Sequence, residues 1–252
     1  MITIEHARHD IGHKTILHDI NLTFAARPGI TALIGPNGAG KSTLLSLMAR
    51  LIPLQHGRIR YGDIDISRAD SRLVAKTIAI MQQQTRFMSR LTIDDLLTFA
   101  RYPYHHGRPK DEDRRIIDET LAYFSLSALR HTFIDELSGG QRQRALVAMV
   151  FAQNTAYILL DEPLNNLDMH HARNLMTTLR HAADDLGKTI IIVLHDINYA
   201  ARYADTIIAM QDGRITHSGS PDEVLQAVNI ATLYDLDVEM IEHEGRRVCL
   251  YF

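Results

Sequence analysis

The sequence has little of what marks secreted, membrane-spanning or nucleic-acid-binding proteins. Its one cysteine, Cys249, cannot form an internal disulfide, which favours a reducing compartment. With 27 basic and 30 acidic residues the net charge is −3, so no basic excess points to nucleic acid as a partner. No apolar run approaches the roughly 18–20 residues that a membrane span needs, and the densest runs, such as 190–194, are short.

The first residues also lack the features of a targeting signal. Residues 1–6 contain neither a basic segment nor an apolar segment, so we expect no signal peptide and a cytoplasmic protein. Apolar residues make up 46% of the 252-residue chain and charged residues 23%, both ordinary for a soluble globular protein. A chain of this length buries a sizeable core as one large domain or as a core with an inserted subdomain.

Short apolar stretches predict strands in both halves of the chain. An alternating, β-like opening around Gly12 predicts an antiparallel N-terminal unit. Further strands are predicted at 30–34, 157–160, 189–194 and 206–210. An amphipathic helix at 169–186 separates two of them, which is the strand–helix–strand alternation of an α/β fold.

A helical stretch interrupts this alternation. Helical patterns at 91–99 and 113–124 flank a polar, turn-rich segment at 102–110. We therefore predict an inserted helical subdomain within a two-part core. The predicted division is a first core part at 1–85, a helical subdomain at 86–152 and a second core part at 153–252.

One motif predicts a phosphate-binding loop between the strand at 30–34 and a following helix. It consists of Gly35, Pro36, Asn37, Gly38, Ala39, Gly40, Lys41, Ser42 and Thr43. The glycines let backbone N–H groups curl around phosphate oxygens, and the helix N-terminus adds a positive dipole end. Lys41 is placed to reach the β- and γ-phosphates, and the Ser42 hydroxyl is placed for Mg²⁺.

Two carboxylates follow the predicted strand at 157–160. Because ligands of α/β sheets bind beyond the carboxyl ends of the strands, Asp161 is placed to hold Mg²⁺ through water. Its neighbour Glu162 is placed to polarise an attacking water. Alone, such a pair is more often a solvated turn, but together with the phosphate-binding loop it predicts a catalytic site.

A second glycine-containing segment lies shortly before Asp161. Ser138, Gly139, Gly140 and Gln141 precede a helical apolar pattern and form a potential second phosphate nest. In this order and spacing, the three motifs resemble those of the ATP-binding subunits of ABC transporters. The resemblance covers nearly the whole chain, and Ser138–Gln141 matches the family's signature segment.

The resemblance implies a fold and a reaction. The fold is α/β, a P-loop NTPase (RecA-like) core with an N-terminal antiparallel β subdomain and an inserted α-helical subdomain ending in the signature helix. The reaction is transport-coupled hydrolysis of ATP with Mg²⁺. Two copies would face head to tail, so that the signature segment of each copy completes the ATP site of the other.

The resemblance also assigns further residues. Gln83 matches the glutamine that contacts Mg²⁺ and senses the transmembrane subunit, so that Ser42, Gln83 and Asp161 form the implied metal set. Gln82 and Gln84 leave this register open by one residue, and a plain polar loop is the alternative.

Two more positions follow from the family's motifs. His195, after the strand at 189–194, matches the switch histidine that contacts the γ-phosphate and is the second implied catalytic residue beside Glu162. Asp168 matches the loop that communicates across the dimer.

One position departs from the family pattern. Aligning Gly12 with the usual glycine places Ile11 where the family has an aromatic residue that stacks on adenine. Aliphatic packing replaces only part of that stacking, so we expect weaker selection of the base. His9 is a nearby substitute.

Two segments, 101–108 and 163–169, resemble the iron(III)-siderophore branch of bacterial importers, which also includes haem and vitamin B12 importers. This implies transmembrane permease subunits on separate chains and, indirectly, a substrate-binding protein. It also implies a peripheral position on the cytoplasmic face of the bacterial inner membrane. Runner-up substrates are cobalamin, haem or another metal chelate.

Two other classes of function are alternatives for a chain with a phosphate-binding loop. A soluble P-loop kinase or GTPase is disfavoured by the signature segment, and the base-reading Asn-Lys-x-Asp motif of GTPases is absent from the sequence. A non-transport ABC ATPase acting on DNA or ribosomes typically has long coiled-coil inserts or two cassettes in one chain, and this chain shows neither.

Overall fold

The computed structural model describes residues 1–24, 27–83 and 90–251. The strands in this part of the chain are β1 Ile2–Ile11, β2 Lys14–Phe24, β3 Gly29–Ile34, β4 His56–Tyr61, β5 Ile64–Asp65, β6 Ile78–Met81, β7 Tyr157–Leu160, β8 Thr189–Val193, β9 Thr206–Gln211, β10 Arg214–Gly219, β11 Glu239–His243 and β12 Arg246–Leu250. The helices are α1 Lys41–Met48, α2 Ser71–Thr77, α3 Ile93–Ala100, α4 Tyr102–His105, α5 Asp111–Tyr123, α6 Gly139–Ala152, α7 Met169–Asp185, α8 Ile197–Tyr203, α9 Pro221–Val224 and α10 Ala227–Tyr234.

The larger sheet has the strand order β10-β9-β3-β8-β7-β6. Its members are parallel except β10, which pairs antiparallel with β9 at one edge. Strand β3 is buried along its whole length, as expected for a parallel strand covered on both faces. The carboxyl ends of β3, β7 and β8 meet at one edge of the sheet, so the loops that follow them lie side by side.

The smaller, antiparallel sheet has the order β2-β1-β4-β5. Strands β1 and β2 form a hairpin whose turn contains Gly12 at φ +60°, a conformation that favours glycine. Apolar side chains of this sheet pack with helix α1 and with one face of the larger sheet in a common core. Helix α1, which carries the end of the predicted phosphate-binding loop, is thereby fixed between the two sheets.

The other face of the larger sheet is covered by helices. Helices α3, α5 and α6 share a core with α7, α8 and the inner strands. A buried ion pair lies among them, with Arg101 Nε 3.0 Å from Asp113 Oδ1. The segment 102–110, predicted as a polar loop, contains the short helix α4, where the Arg101 guanidinium lies over the Tyr104 ring.

The predicted division into core and helical subdomain remains a prediction. The first boundary, between residues 85 and 86, lies outside the described residues. The second, after residue 152, coincides with the end of α6, although α6 packs in the same core as the sheet. No helix within the described ranges is both long and apolar enough to span a bilayer.

The chain ends with a separate hairpin. Among the residues that the structure describes, β11 and β12 form a two-stranded sheet of their own, and β12 packs against α8. The Asn198 side chain at the start of α8 forms two hydrogen bonds with the Cys249 backbone. It accepts from the N–H at 2.8 Å and donates to the C=O at 3.1 Å. These two bonds fix the hairpin to the body of the protein.

Candidate functional site

The predicted phosphate-binding loop connects β3 to α1. Gly35 and Gly40 have φ values of +141° and +96°, which favour glycine. At Gly35 an added Cβ would lie 2.0 Å from the backbone oxygen of Met210, so no side chain fits there. The Ala39 carbonyl accepts a bond from the Gly213 amide at 3.1 Å, which ties the loop to the turn between β9 and β10.

Lys41, the first residue of α1, is buried inside the curve of this loop. Its ammonium donates to the carbonyl oxygens of Gly35 at 2.8 Å and Pro36 at 2.9 Å. Burial lowers the pKa of Lys41, and the carboxylates of Glu162 and Asp161 oppose that shift. The loop therefore has a concentrated positive charge beside its backbone amides.

Ser42 and Asp161 meet although they are far apart in the sequence. The Ser42 hydroxyl donates to Asp161 Oδ1 at 3.0 Å. Burial raises the pKa of Asp161 and the Glu162 charge adds to this, whereas the bond from Ser42 lowers it. The Asp161 amide donates to the Met81 carbonyl at 2.9 Å, which fixes the end of β7 against the end of β6.

Glu162 is the centre of the polar cluster at this edge. His195 Nε2 lies 2.8 Å from its Oε1, while its Oε2 accepts from Gln83 Nε2 at 2.7 Å and from Asn165 Nδ2 at 2.5 Å. Glu162 has a φ of +51°, a left-handed conformation that is uncommon outside glycine and clusters at functional sites. The structure thus brings together Gln83, Glu162 and His195, which the sequence predicted separately.

A cavity of about 650 Å³ lies between the loop and this cluster. Its lining residues are Ile11, Lys14, Ile16, Asn37, Gly38, Ala39, Gly40, Lys41, Ser42, Thr43, Gln83, Glu162, Asn165 and His195. Of these, Lys14, Ile16 and Asn165 were missed in the sequence. Ile11 is 58% exposed at the cavity, as its alignment predicts. His9 does not replace it, because its side chain is buried and does not line the cavity.

The predicted signature residues lie elsewhere on the chain. Ser138 caps α6: its Oγ accepts from the Gln141 amide at 3.3 Å, and its own amide donates to Gln141 Oε1 at 3.0 Å. Gly139 and Gly140 form the first turn of the helix. None of these four residues lines the cavity described above.

Asp168 lies near the signature segment. It caps α7, accepting from the His171 amide at 2.8 Å, and is paired with the His171 ring at 2.8 Å. An added Cβ at Gly140 would lie 3.0 Å from that ring. The His171 ring thus lies between Asp168 and the signature helix, so these two predicted interface elements contact each other through it.

A family model described as ABC transporter matches residues 17–165, more than half of the chain. The chain belongs to the ABC transporter family. Over the full length of both chains, this ABC protein is 43% identical to the petrobactin import ATP-binding protein of Bacillus subtilis (strain 168). It is 38% identical to the ferric enterobactin transport ATP-binding protein of Escherichia coli (strain K12), with 88% of this chain and 83% of that protein covered.

Solved structures agree with this assignment. The dimeric structure of an ABC cassette in a post-hydrolysis state, bound to ADP and Pi, superposes with a TM-score of 0.78 and 26% identity. That match covers 88% of this chain and 99% of the other. The family and the fold class predicted from the sequence are confirmed, and the chain is an ABC-type ATPase subunit.

Proposed function

We propose that this ABC ATPase subunit powers import of an iron(III)-siderophore complex by hydrolysing ATP in the cavity beside the phosphate-binding loop. One observation carries the catalytic part of the proposal. The Glu162 carboxylate is held by Gln83, Asn165 and His195 at the cavity that also contains Lys41. A carboxylate fixed beside a phosphate loop is placed to polarise an attacking water.

The nucleotide would lie along residues 35–43. The loop amides and the N-terminus of α1 would bind its phosphate oxygens, and Lys41 would supply charge. Ser42 and Asp161, 3.0 Å apart, offer a hydroxyl and a carboxylate oxygen, the hard donors that Mg²⁺ prefers. With Gln83 they would hold the ion, which would neutralise charge on the phosphates.

Each catalytic side chain then has a defined task. Glu162 would act as general base towards the attacking water, and its place between three polar side chains fixes its orientation. His195 is 41% exposed, so its imidazole is available to a γ-phosphate in the cavity. Catalysis would rest mainly on positioning and charge stabilisation.

A second copy would complete the site. Ser138, Gly139, Gly140 and Gln141 begin a helix yet lie outside the cavity of their own chain, which supports their use by the partner copy. Asp168, which pairs with the His171 ring beside Gly140, would lie at the same interface.

The proposal that the imported cargo is an iron chelate rests on the names of the relatives and not on a pocket of this chain. Two of them are named for import of petrobactin and transport of ferric enterobactin, and one of these aligns over its full length. The chelate would cross through separate transmembrane permease subunits fed by a substrate-binding protein, with this chain on the cytoplasmic face of the bacterial inner membrane. Haem, vitamin B12 and other metal chelates are the alternative substrates.

The test is uptake of ⁵⁵Fe-labelled siderophores, as a panel, by cells with and without this chain. We expect uptake of at least one ferric siderophore to require the chain and to fail with Glu162→Gln. Haem and labelled vitamin B12 are assayed in parallel. Chain-dependent uptake of either, without any siderophore dependence, would replace the proposed substrate, and no dependence for any cargo would favour a non-transport ABC ATPase.

A further inference from the structure

The first glycine of the phosphate-binding loop is bound by a residue from the other end of the chain. The Gly35 amide donates to the Tyr234 hydroxyl at 3.0 Å. Tyr234 is the last residue of α10, and its ring packs against the main core. Burial raises the pKa of Tyr234 to about 12, so the hydroxyl stays protonated and uncharged at neutral pH.

Strand β9 also restricts the space at Gly35. The backbone of Met210 in β9 lies so close that no Cβ would fit at Gly35. The start of the loop is thus confined by β9 and bound by Tyr234. Its carbonyl in turn accepts from Lys41, so a displacement of Gly35 would also displace the Lys41 ammonium.

The segment that carries Tyr234 is itself fixed. Strand β12 is joined to α8 by the two bonds between Asn198 and Cys249. Arg247 donates to the Leu225 carbonyl at 2.9 Å, which ties the hairpin to the chain just before α10. Helix α8 begins two residues after His195, so the C-terminal segment is bonded to Gly35 and to the helix that follows His195.

We infer that Tyr234 is a positioning residue for the phosphate-binding loop, and that the C-terminal segment 227–250 braces the nucleotide site through it. The inference rests on the proposed nucleotide site. Tyr234 does not line the cavity and acts through Gly35. Because the loop amides bind phosphate only when they converge, fixing Gly35 preorganises the loop and raises ATP affinity.

The test is Tyr234→Phe, which keeps the ring and removes the hydroxyl. We expect the Kd for ATP to rise about three- to tenfold, the range for loss of one neutral hydrogen bond. The KM for ATP should rise in parallel while kcat stays near wild type, because the loop holds phosphates in the ground state and the transition state alike.

Tyr123→Phe is the matched control. Its hydroxyl donates to the Thr178 carbonyl at 3.2 Å, away from the cavity. It loses a comparable bond, so we expect some loss of stability in urea but an unchanged Kd. If Tyr234 only stabilised the fold, Tyr234→Phe would behave in the same way as this control. A Kd for ATP of Tyr234→Phe within twofold of wild type would therefore overturn the inference.

A second measurement needs no variant. Hydrogen exchange of the Gly35 amide in the nucleotide-free wild-type chain should be slow, because the amide is already bonded to Tyr234. Fast exchange would overturn the inference even if Tyr234→Phe fails to fold. Lys41→Ala separates the two proposals. If this variant binds ATP as well as wild type does, the proposed nucleotide site is wrong. If only Tyr234→Phe leaves the Kd for ATP unchanged, the positioning role of Tyr234 is wrong and the nucleotide site stands.

Discussion

Glu162 combines a strained backbone with an ordered side chain. Its left-handed φ of +51° carries a cost of order 1–3 kcal/mol. The cost is offset by the contacts of its carboxylate with Gln83, Asn165 and His195. Its carboxylate lines the cavity beside the phosphate-binding loop, where the proposed general base would act.

Glu162→Gln should leave ATP binding intact and reduce turnover by roughly 10²–10⁴-fold, the contribution of a positioned general base. The amide can keep the same shape, with its oxygen accepting from Gln83 and Asn165 and its NH₂ group facing His195. The measurement is steady-state phosphate release with a parallel nucleotide titration. Glu119→Gln, at an exposed side chain of α5, is the control, and turnover above about a tenth of wild type would refute the assignment of Glu162 as base.

Because Ile11 is aliphatic, the protein should discriminate only weakly between the nucleotide bases of ATP and GTP. Ile11→Tyr adds an aromatic plane at the exposed edge of the cavity and should tighten ATP binding by about 0.5–1.5 kcal/mol. Titration of both ATP and GTP tests this, with Ile11→Leu as an aliphatic control that should change neither affinity. Unchanged or weaker ATP binding in the tyrosine variant would mean that residue 11 does not face the base.

At the residue scale the sequence predicted the groups with fixed spacing. Lys41, Ser42 and Asp161 follow from local patterns, and the structure places them together. Asn165 could not be predicted, because an asparagine in a loop has no spacing that indicates its target. The choice of Gln83 over its neighbours is consistent with its contact to Glu162, whereas Gln84 lies outside the described residues.

At the scale of elements, the buried ion pair between Arg101 and Asp113 joins parts of the helical region. Burial raises the pKa of Asp113, but the bonds from the Lys110 amide and from Arg101 outweigh it, and the pKa lies below its usual 3.8. The Arg101 side chain also donates to the Ala152 carbonyl at the end of α6. The pair thus joins the starts of α4 and α5 to α6.

Asp113→Asn should destabilise the chain by about 3 kcal/mol, because it leaves the Arg101 guanidinium buried without its carboxylate. Urea unfolding measures the loss. Asp118→Asn is the control, since its carboxylate is exposed and Arg130 keeps its bond to Asp94; we expect a change below about 1 kcal/mol. Equal effects of the two substitutions would contradict the structural role of the buried pair.

Asp113→Asn should also change how the free energy of unfolding depends on pH in acid. Because the folded-state pKa of Asp113 is lowered, its stabilisation is complete above the unfolded value of 3.8 and is lost as the pH falls through the folded-state value. Wild-type stability should therefore fall more steeply than that of Asp113→Asn below about pH 4. Parallel curves would show that Asp113 has no lowered pKa.

Strand positions were well predicted at this scale, because short apolar runs between turn residues indicate buried parallel strands. β7 was predicted to the residue, and β3, β8 and β9 to within one residue. Helix α4 was missed because Tyr102-Pro103-Tyr104-His105 reads as a turn. In the folded chain Arg101 lies over the Tyr104 ring and is buried against Asp113 of α5, a contact that the local sequence does not indicate.

At the scale of the whole molecule, the signature segment and the cavity of one chain do not meet. Ser138→Arg should therefore block turnover and spare ATP binding to a dilute monomer, while Lys41→Ala should lose ATP binding. In a mixed dimer one site has both lesions and the other has neither. ATP-dependent dimerisation, followed by light scattering, should be partly recovered in the mixture and lost in each variant alone.

Loss of the Ser138 cap is a separate effect to control, since it costs about 1 kcal/mol of helix stability. Ser138→Asn keeps a capping side chain without the bulk of arginine and should fold like wild type. If mixed dimers form and still fail as the separate variants do, the head-to-tail arrangement is wrong. If Ser138→Arg weakened ATP binding to the monomer as much as Lys41→Ala does, the signature segment would belong to the ATP site of its own chain.

The strand order has a consequence for how the protein is made. Strand β3 leads into the phosphate-binding loop, yet its two neighbours in the sheet, β8 and β9, begin only at Thr189 and Thr206. On a ribosome that adds about 5–20 residues each second, β3 would wait roughly 10–30 s for them. The hairpin of β1 and β2 can form meanwhile from neighbouring residues. A nascent chain released before β8 would therefore have the whole loop sequence and neither strand that flanks β3 in the larger sheet.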